Sequence, residues 1–310
     1  MDYKSSIKRV TRLVLQAIAA ILGVYYSTKY AAIVRRLGLP HFPPSARRGF
    51  IVVQVDGLSH QDLLAAIQQG YTPYMERLLQ RQEFRLQPWR SGLPCTTPAA
   101  QAGIMFGNND DIPAFRWYDK TTRESIVCSQ PGFVHAIQDR VSQGRQGILA
   151  GGSSFMNMFD GDASLSMFTL GALNRQRFFE SVRGLGVLIL FLLNPFRSAK
   201  TIVLAVWEYL TDLAQHISAL FKGHTPHPLE RKFRLLRVMS NVVLREIQTF
   251  AVLVDIYRGV PAIYTTDYGY DEVTHHYGPH SRPALRALHA IDHRIRQIDS
   301  LRRQHLGREY

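Results

Sequence analysis

A short apolar run near residue 50 limits the folds that are open to this chain. The run "FIVVQV" (50–55) is continuous rather than alternating, and it is rich in β-branched residues. Such a run is typical of a strand that is buried on both faces of a parallel sheet. Asp56 and Gly57 follow it, and an acid–glycine pair after a strand is commonly just a turn. Parallel strands need crossover connections, so helices are expected between this strand and the next.

Helix signals follow the first strand directly. Ser59 is placed to cap a helix that ends at Gly70. Thr72 as the cap and Pro73 in the first turn indicate the start of a second helix. The sequence therefore predicts a strand and two short helices between residues 50 and 80.

Later segments continue the alternation of strands and helices. We expect strands within "EFRLQPW" (83–89), "RQGILAGG" (145–152) and "GVPAIYTT" (259–266), a helix in "CTTPAAQAGIMFG" that ends at Gly107, and a long final helix with a strongly basic face. This order predicts the α/β class: a three-layer sandwich with a mostly parallel central sheet and helices on both faces.

Charge points to anionic partners. The 310 residues carry a formal net charge of +13, which favours phosphate esters, anionic lipid or nucleic acid. No named nucleic-acid motif occurs, so nucleic acid is not the expected partner, although the basic final helix keeps it as a third hypothesis. Two cysteines, Cys95 and Cys128, make no disulfide framework.

Two hydrophobic regions predict membrane association. Residues 13–26 follow a basic segment but fall short of the roughly 20 residues that a spanning helix needs, so a short signal anchor and an amphipathic helix both remain open. Residues 185–221 contain an apolar run that Pro195 breaks, followed by an amphipathic segment. We expect either a hydrophobic hairpin that dips into the membrane interface or a helical pair packed on the sheet. The side of the membrane stays undetermined.

The amphipathic segment has two distinct faces. Its apolar face is predicted to contain Ile202, Val206, Tyr209, Leu213, Ile217 and Leu220, and another face Glu208, Asp212 and Gln215. The resulting division of the chain is an N-terminal membrane-associated or amphipathic helix and linker at 1–48, the first part of the α/β domain at 49–180, a hydrophobic hairpin insertion at 181–225, and an incomplete continuation of the α/β domain at 226–310.

Three separated places carry side chains suited to metal-assisted chemistry, each near a predicted strand end. They are Asp56, the pair Thr96 and Thr97 before a helix, and Asp271 with His275 four residues later. Ligands of open α/β sheets bind at the carboxyl ends of the strands, so these places are expected to converge. Carboxylate and imidazole groups are common zinc ligands. Each motif alone also has a plain structural explanation: a turn, a helix cap, or a polar loop.

Taken together, the motifs resemble one known family. "VVQVDGLS", "TPYMERL", "PCTTPAAQAGIMFG" and "YDEVTHHYGP" are similar, in this order, to the alkaline phosphatase superfamily, in particular its type I phosphodiesterase/nucleotide pyrophosphatase branch. The resemblance covers residues 50–107 and 259–300, and it is loose between them. It implies an alkaline phosphatase-like fold, here incomplete, and a metal-dependent hydrolase that acts on phosphoric esters.

The resemblance also implies roles for individual residues. Asp56 would bind one metal together with a nucleophilic threonine, either Thr96 or Thr97, of which the distance to Gly107 favours Thr97. Asp271 and His275 would bind the other metal. Both ions would be divalent, zinc or else manganese, and the substrate a small-molecule phosphate ester or a lipid head group. Asn108 or Asn109 is a weaker match for a residue that holds a phosphoryl oxygen.

Part of the family's pattern is missing from this sequence. A later Asp-His pair at a strand end and a final distant histidine are not found, and Asp292 with His293 lie within a helix pattern instead. We therefore expect weak metal binding and little or no activity from this polypeptide alone. The alternative function is a catalytically dead, membrane-associated binding module that retains the fold. His276 and His280 are expected to be neighbours of the site rather than ligands.

Overall fold

The computed structural model describes residues 47–172, 194–221, 237–304 and 308–310, with isolated positions between 28 and 42, between 188 and 192, and at 235. The predicted N-terminal membrane segment, 13–26, lies outside the described residues, and so does most of the first arm of the predicted hairpin. No described helix is both long enough and apolar enough to cross a membrane.

The described elements alternate between strands and helices. The strands are β1 (Phe50–Val55), β2 (Arg116–Asp119), β3 (Glu124–Val127), β4 (Ser153–Phe155), β5 (Leu165–Met167) and β6 (Ala262–Asp267). The α-helices are α1 (His60–Gln68), α2 (Pro73–Gln80), α3 (Thr97–Phe106), α4 (Pro131–Ser142), α5 (Pro195–Phe221), α6 (Arg245–Arg258), α7 (Gly269–Tyr277) and α8 (Arg282–Arg302). A 3₁₀ turn covers Leu170–Ala172, and a π-helical segment, Met239–Leu244, leads into α6.

A four-stranded parallel sheet forms the centre, in the order β1-β6-β4-β5. Phe50 is paired with Ala262 and Val55 with Asp267, so β1 and β6 end side by side. Strands β2 and β3 form a separate antiparallel pair. The predicted α/β class with a mostly parallel sheet is confirmed.

Helices cover both faces of the sheet, and the side chains of β6 alternate between the two cores that these helices form. Ile263 packs in the cluster that contains most of the apolar side chains of α6. Ala262 and Tyr264 pack in a second cluster with side chains of α3 and α4. Every residue of β6 is buried, as expected for a central parallel strand.

Strand β1 is less buried than its composition predicts. Phe50 is exposed and the other five residues are half-buried, with Ile51 and Val53 packed against one core and Val52 against the other, so the expectation of burial on both faces holds only in part. The reason lies in the strand order, since β1 is at an edge of the described sheet with β6 as its one neighbour there. The composition of an apolar run does not show how many neighbouring strands it will pair with.

Two other strand predictions were wrong. No strand forms at 83–89. Every residue there except the half-buried Leu86 is exposed, because this segment does not pack on a sheet. The strand predicted at 145–152 begins later, at Ser153. Turns come first, in which the N–H of Ala150 donates to the carbonyl of Gly147 and the N–H of Gly152 to that of Leu149. A Cβ on Gly152 would lie 2.2 Å from the carbonyl oxygen of Ala262. The glycine brings the chain up to β6 before pairing starts.

The caps of the short helices are only partly those expected. Ser59 caps α1, accepting a hydrogen bond from the backbone N–H of Asp62 at 3.0 Å. Thr72 occupies the cap position of α2 without a side-chain bond. Asp292 of α8 takes over this role, accepting from the N–H groups of Tyr74 and Met75 at 2.9 and 2.8 Å. A carboxylate from a distant helix thus caps α2.

Helix α5 begins at Pro195, the residue predicted to break the apolar run, and it includes the predicted amphipathic segment. A helix packed on the sheet would bury its apolar face, but in α5 it is the charged face that is buried. Asp212 is buried, and Ile202, Val206, Tyr209 and Ile217 are exposed. Asp212 and Glu208 both bind the buried guanidinium of Arg237, at 2.9 and 2.7 Å. The described part of α5 is therefore anchored by ion pairs.

Candidate functional site

The candidate site lies where β1 and β6 end. The backbone N–H of Asp56 donates to the carbonyl of Asp267 at 3.0 Å, which holds the two strand ends together. The hydroxyl of Thr97 lies 3.1 and 3.0 Å from the two carboxylate oxygens of Asp56 and donates to them. The end of β1 and the start of α3 therefore meet through one hydroxyl–carboxylate pair.

The local sequence of α3 fixes which threonine reaches the aspartate. Thr96 has extended backbone angles and occupies the cap position, whereas Thr97 is the first helical residue. The hydroxyl of Thr96 is buried without a hydrogen-bond partner, so it does not make the capping bond that its sequence suggests. Gly107 ends the helix in the left-handed conformation, at φ 71°. Of the two predicted threonines, Thr97 contacts Asp56.

Asp271 reaches the same place from the first turn of α7. Its carboxylate lies against Gly57, where a Cβ would approach Asp271 Oδ1 to 2.3 Å. Gly57 also has φ +68°, a left-handed conformation that glycine adopts without strain. Position 57 therefore requires glycine for two reasons, its left-handed backbone angle and the closeness of the Asp271 carboxylate.

His275 lies one helical turn after Asp271, on the rim of the site. Its Nε2 is 3.2 Å from Asp271 Oδ2, and its side chain is 74% exposed. The spacing of four residues within α7 places both side chains on one face of the helix. The predicted pair is thus formed, with the carboxylate inside and the imidazole in solvent.

The charge of Asp271 acts on the neighbouring acids. Burial, together with the negative charge of Asp271, raises the pKa of Asp56 to about 6, against the lowering effect of the hydrogen bond from Thr97. Burial and the charge of Asp271 also raise the pKa of Glu272. A group of acids that repel one another attracts protons or cations.

A buried amide holds the Thr97 end of α3 against the sheet. Gln101 lies one turn after Thr97; its Nε2 donates to Thr266 Oγ1 at 3.0 Å, and its Oε1 accepts from the N–H of Met158 at 2.7 Å. Sequence reasoning missed this residue, although a glutamine four residues after a candidate nucleophile shares its helix face. It ties α3 to the end of β6.

A second missed contact lies on the α1 side of the site. Asp62 accepts from the hydroxyl of Ser59 at 2.6 Å, and its other oxygen is 3.5 Å from His280 Nε2. The charges of Asp62 and Asp271, after burial, raise the pKa of Tyr270 to about 12. His280 thus contacts the α1 acid and not Asp271. His276 is exposed, with its ring 6.4 Å from that of Tyr277.

Both asparagines that were considered for phosphoryl binding hold the loop after α3. Asn108 Nδ2 donates to Asp111 and to the carbonyl of Val141, at 2.7 and 3.0 Å. Asn109 Nδ2 donates to the carbonyl of Ser91 at 3.3 Å. Their amide donors are therefore engaged by the protein itself.

The donor set suits a divalent cation chemically, but it is small. Among the described residues, no three His, Cys, Asp or Glu side chains gather so that they could hold one metal ion. Asp56 and Asp271 offer carboxylate oxygens and His275 a nitrogen, donors that zinc and manganese accept. Burial chiefly, and then the charge of Asp271, raises the pKa of Asp56, and a bound cation would offset both effects. Water or substrate would have to supply the other ligands.

These features define an α/β protein with a hydroxyl–carboxylate site at the carboxyl end of a parallel sheet. No protein-family model matches the chain. No curated protein and no solved structure matches it either.

Proposed function

We propose that the chain is a metal-dependent phosphoric ester hydrolase of the phosphodiesterase/nucleotide pyrophosphatase type, with the fold of the alkaline phosphatase superfamily. Thr97 is the nucleophile and Asp56 orients it. One observation carries the proposal: the hydroxyl of the first residue of α3 donates to a buried carboxylate at the end of β1. The ordered motifs of the sequence support the same assignment.

The position of Thr97 suits attack on phosphorus. The first backbone N–H groups of a helix have no partner within it, and the helix dipole favours negative charge there. A phosphoryl group beside Thr97 would meet this end of α3, and the basic net charge of the chain would attract it. Asp56 accepts the hydrogen bond of the hydroxyl and is placed to take its proton.

The reaction forms one bond and breaks one bond at phosphorus. The oxygen of Thr97 attacks, the P–O bond to the alcohol breaks, and the alcohol leaves with a proton. Water then releases phosphate or a phosphomonoester and restores the hydroxyl. Asp56 with Thr97, and Asp271 with His275, are the residues that would hold two divalent ions. Such ions, zinc or manganese, supply Lewis-acid stabilisation of negative charge when bound.

Hydrolysis of an aryl phosphodiester such as bis(p-nitrophenyl) phosphate, with added zinc or manganese, tests the proposal in the full chain. Turnover by the native chain should be slow, because the later Asp-His pair and the distant histidine are not found in its sequence. Thr97→Ala should abolish this slow turnover, whereas Thr96→Ala should keep most of it, because of the two threonines only Thr97 contacts Asp56. Mass spectrometry after acid quenching should find a phosphoryl group on the peptide that contains Thr97.

Equal rates in the Thr97→Ala variant and the native chain would reject the nucleophile assignment. If phosphate or vanadate binds, Thr97→Ala weakens that binding, and no substrate turns over with either metal, then the hydrolase proposal fails and the alternative of a catalytically dead binding module replaces it.

A further inference from the structure

Helix α5 turns its charged side inward. Its two acidic residues, Glu208 and Asp212, both bind the buried Arg237, and Tyr277 donates to Asp212 at 3.3 Å. Thr201 is buried on the same helix. Ion pairs and hydrogen bonds therefore fix how α5 is rotated about its axis, and the opposite side of the helix faces solvent.

The solvent-facing side of α5 is a continuous apolar stripe. Its large exposed members are Phe196, Ile202, Val203, Val206, Trp207, Leu210 and Ile217. Four of them, Phe196, Val203, Leu210 and Ile217, recur every seven residues, and the others add three- and four-residue steps, so they share one side of the helix along the 22 residues from 196 to 217. Both acids of α5 point the other way, and the apolar stripe therefore contains no acidic side chain. Trp207 and the neighbouring exposed Tyr209 are residue types enriched at membrane interfaces.

A basic stripe on α8 lies next to one end of this helix. Its exposed members are Arg282, Arg286, His289, His293 and Arg296. The acids of α8 are turned inward: Asp292 caps α2, and Asp299 accepts from Tyr74. Burial, followed by the positive charges of Lys200 and Arg296, lowers the pKa of His293. Lys200 belongs to α5 and binds Glu246 of α6 at 2.9 Å, and the charges of both residues act on His293, so the start of α5 lies near the basic stripe.

We propose that the apolar stripe of α5 and the basic stripe of α8 form one docking surface for an anionic membrane. The apolar side chains would enter the boundary between head groups and acyl chains, and the arginines would contact lipid phosphates. A second copy of the chain is a poorer occupant, because a two-fold contact through this surface brings the same basic stripe in from both subunits. This surface is independent of the hydrolase proposal.

Tryptophan fluorescence tests the surface directly, because Trp207 and Trp89 are similarly exposed, at 69% and 66%. A full-length variant with Trp89→Phe and Trp117→Phe keeps only Trp207. Its emission should move to shorter wavelength with phosphatidylglycerol-containing vesicles, and brominated lipids should quench it. The matched variant with Trp117→Phe and Trp207→Phe keeps only Trp89 and should show neither effect.

Vesicle co-sedimentation of variants gives a second measurement that does not depend on removing tryptophans. Val203→Asp with Leu210→Asp should lower the partition coefficient at least about tenfold, because a charge at the apolar boundary is costly. Arg286→Gln and Arg296→Gln should each lower it about fivefold on anionic vesicles and much less on phosphatidylcholine. Arg116→Gln and Arg123→Gln, on the exposed β2–β3 pair, serve as controls and should change little.

Three results would overturn the proposal. The first is an unshifted Trp207 in the presence of bound vesicles. The second is equal binding of the Val203→Asp, Leu210→Asp variant and the native chain. The third is a Trp207 shift that needs only higher protein concentration and no lipid, which would assign the stripe to contact between copies of the chain.

Discussion

The hydroxyl of Thr97 bridges both carboxylate oxygens of Asp56, at 3.1 and 3.0 Å, across 41 positions of sequence. This contact joins the end of an edge strand to the first residue of a helix. Asp56 also accepts a hydrogen bond from the Gln54 amide at 3.2 Å, and the negative charge of Asp271 nearby repels it. The behaviour of Asp56 with pH is therefore the first quantity to measure.

We expect Asp56→Asn to stabilise the protein at pH 8 and to have no effect near pH 4. Burial first, and then the charge of Asp271, raises the pKa of Asp56 from 3.8 to about 6, so folding favours its protonated form. In the native protein, protonated Asp56 contributes its full stabilisation below pH 4. This contribution, about 3 kcal/mol, is lost as the pH rises through 6, and the asparagine variant does not lose it. Urea denaturation at several pH values, with EDTA present, measures it.

Asp111→Asn is the control for this experiment. The hydrogen bond from Asn108 lowers the pKa of Asp111, so that carboxylate stabilises the fold above its unfolded pKa and loses this effect as the pH falls. The control should therefore change with pH in the opposite direction. A stability difference for Asp56→Asn that stays constant from pH 4 to 8 would contradict the raised pKa.

Gly57→Ala should weaken metal binding, and Gly70→Ala should not. Both glycines have left-handed backbones, at φ +68° and +73°, so each substitution should cost about 1–2 kcal/mol of folding free energy. Only at Gly57 does the new Cβ meet another group, Asp271 Oδ1, at 2.3 Å. Calorimetric titration with manganese, alongside urea denaturation, separates the two effects. Equal manganese affinities would show that Asp271 takes no part in binding.

One of the two cysteines should react quickly with a thiol reagent in the native protein. Cys95 is exposed and lies two residues before Thr97, whereas Cys128 is buried, and burial raises its pKa to about 11. A thiol with a raised pKa forms little of the reactive thiolate. We expect one fast equivalent with DTNB and a second only on unfolding. Vanadate should slow the fast reaction if anions bind beside Thr97; two fast equivalents would refute the burial of Cys128.

Arg294→Met should destabilise the fold by about 3–5 kcal/mol, because it leaves a buried carboxylate without its partner. Arg294 is buried, and it binds Asp267 at 3.0 Å and Thr265 at 2.7 Å, which fastens α8 to β6. Arg296→Met, on the exposed side of the same helix, should change stability by less than about 0.5 kcal/mol. Urea denaturation measures both.

The double variant Arg294→Met, Asp267→Asn decides the cause. If an uncompensated charge is the main cost, neutralising Asp267 should recover a large part of the lost stability. A double variant as unstable as the sum of the single variants would assign the loss to packing of the arginine instead.

Several parts of the site were within reach of the sequence, because their signals act over one or two turns of chain. Gly107 ends α3, and the four-residue spacing places Asp271 and His275 on one face of α7, as expected. The convergence of the three places followed from the rule for parallel sheets. The roles in metal binding and catalysis stay predictions.

Other features depended on contacts that no local pattern encodes. The run 83–89 has strand-like composition but finds no sheet, and β1 is half-buried because it lies at an edge. Thr72 does not cap α2, since Asp292 arrives from 218 positions away to do so. Strand order and the competition between caps are set only when distant segments meet.

The chain's own signals specified its α/β class, most of its helix ends, and the residues available for chemistry. The folded arrangement selected Thr97 over Thr96, since only a donor at the first helical position reaches Asp56. It also turned the acids of α5 inward, where Glu208 and Asp212 bind the buried Arg237, and left its apolar stripe outward. The local pattern of α5 shows that it is amphipathic, but only contacts with distant segments decide which face turns inward, because a buried arginine without a carboxylate partner would cost about 3–5 kcal/mol.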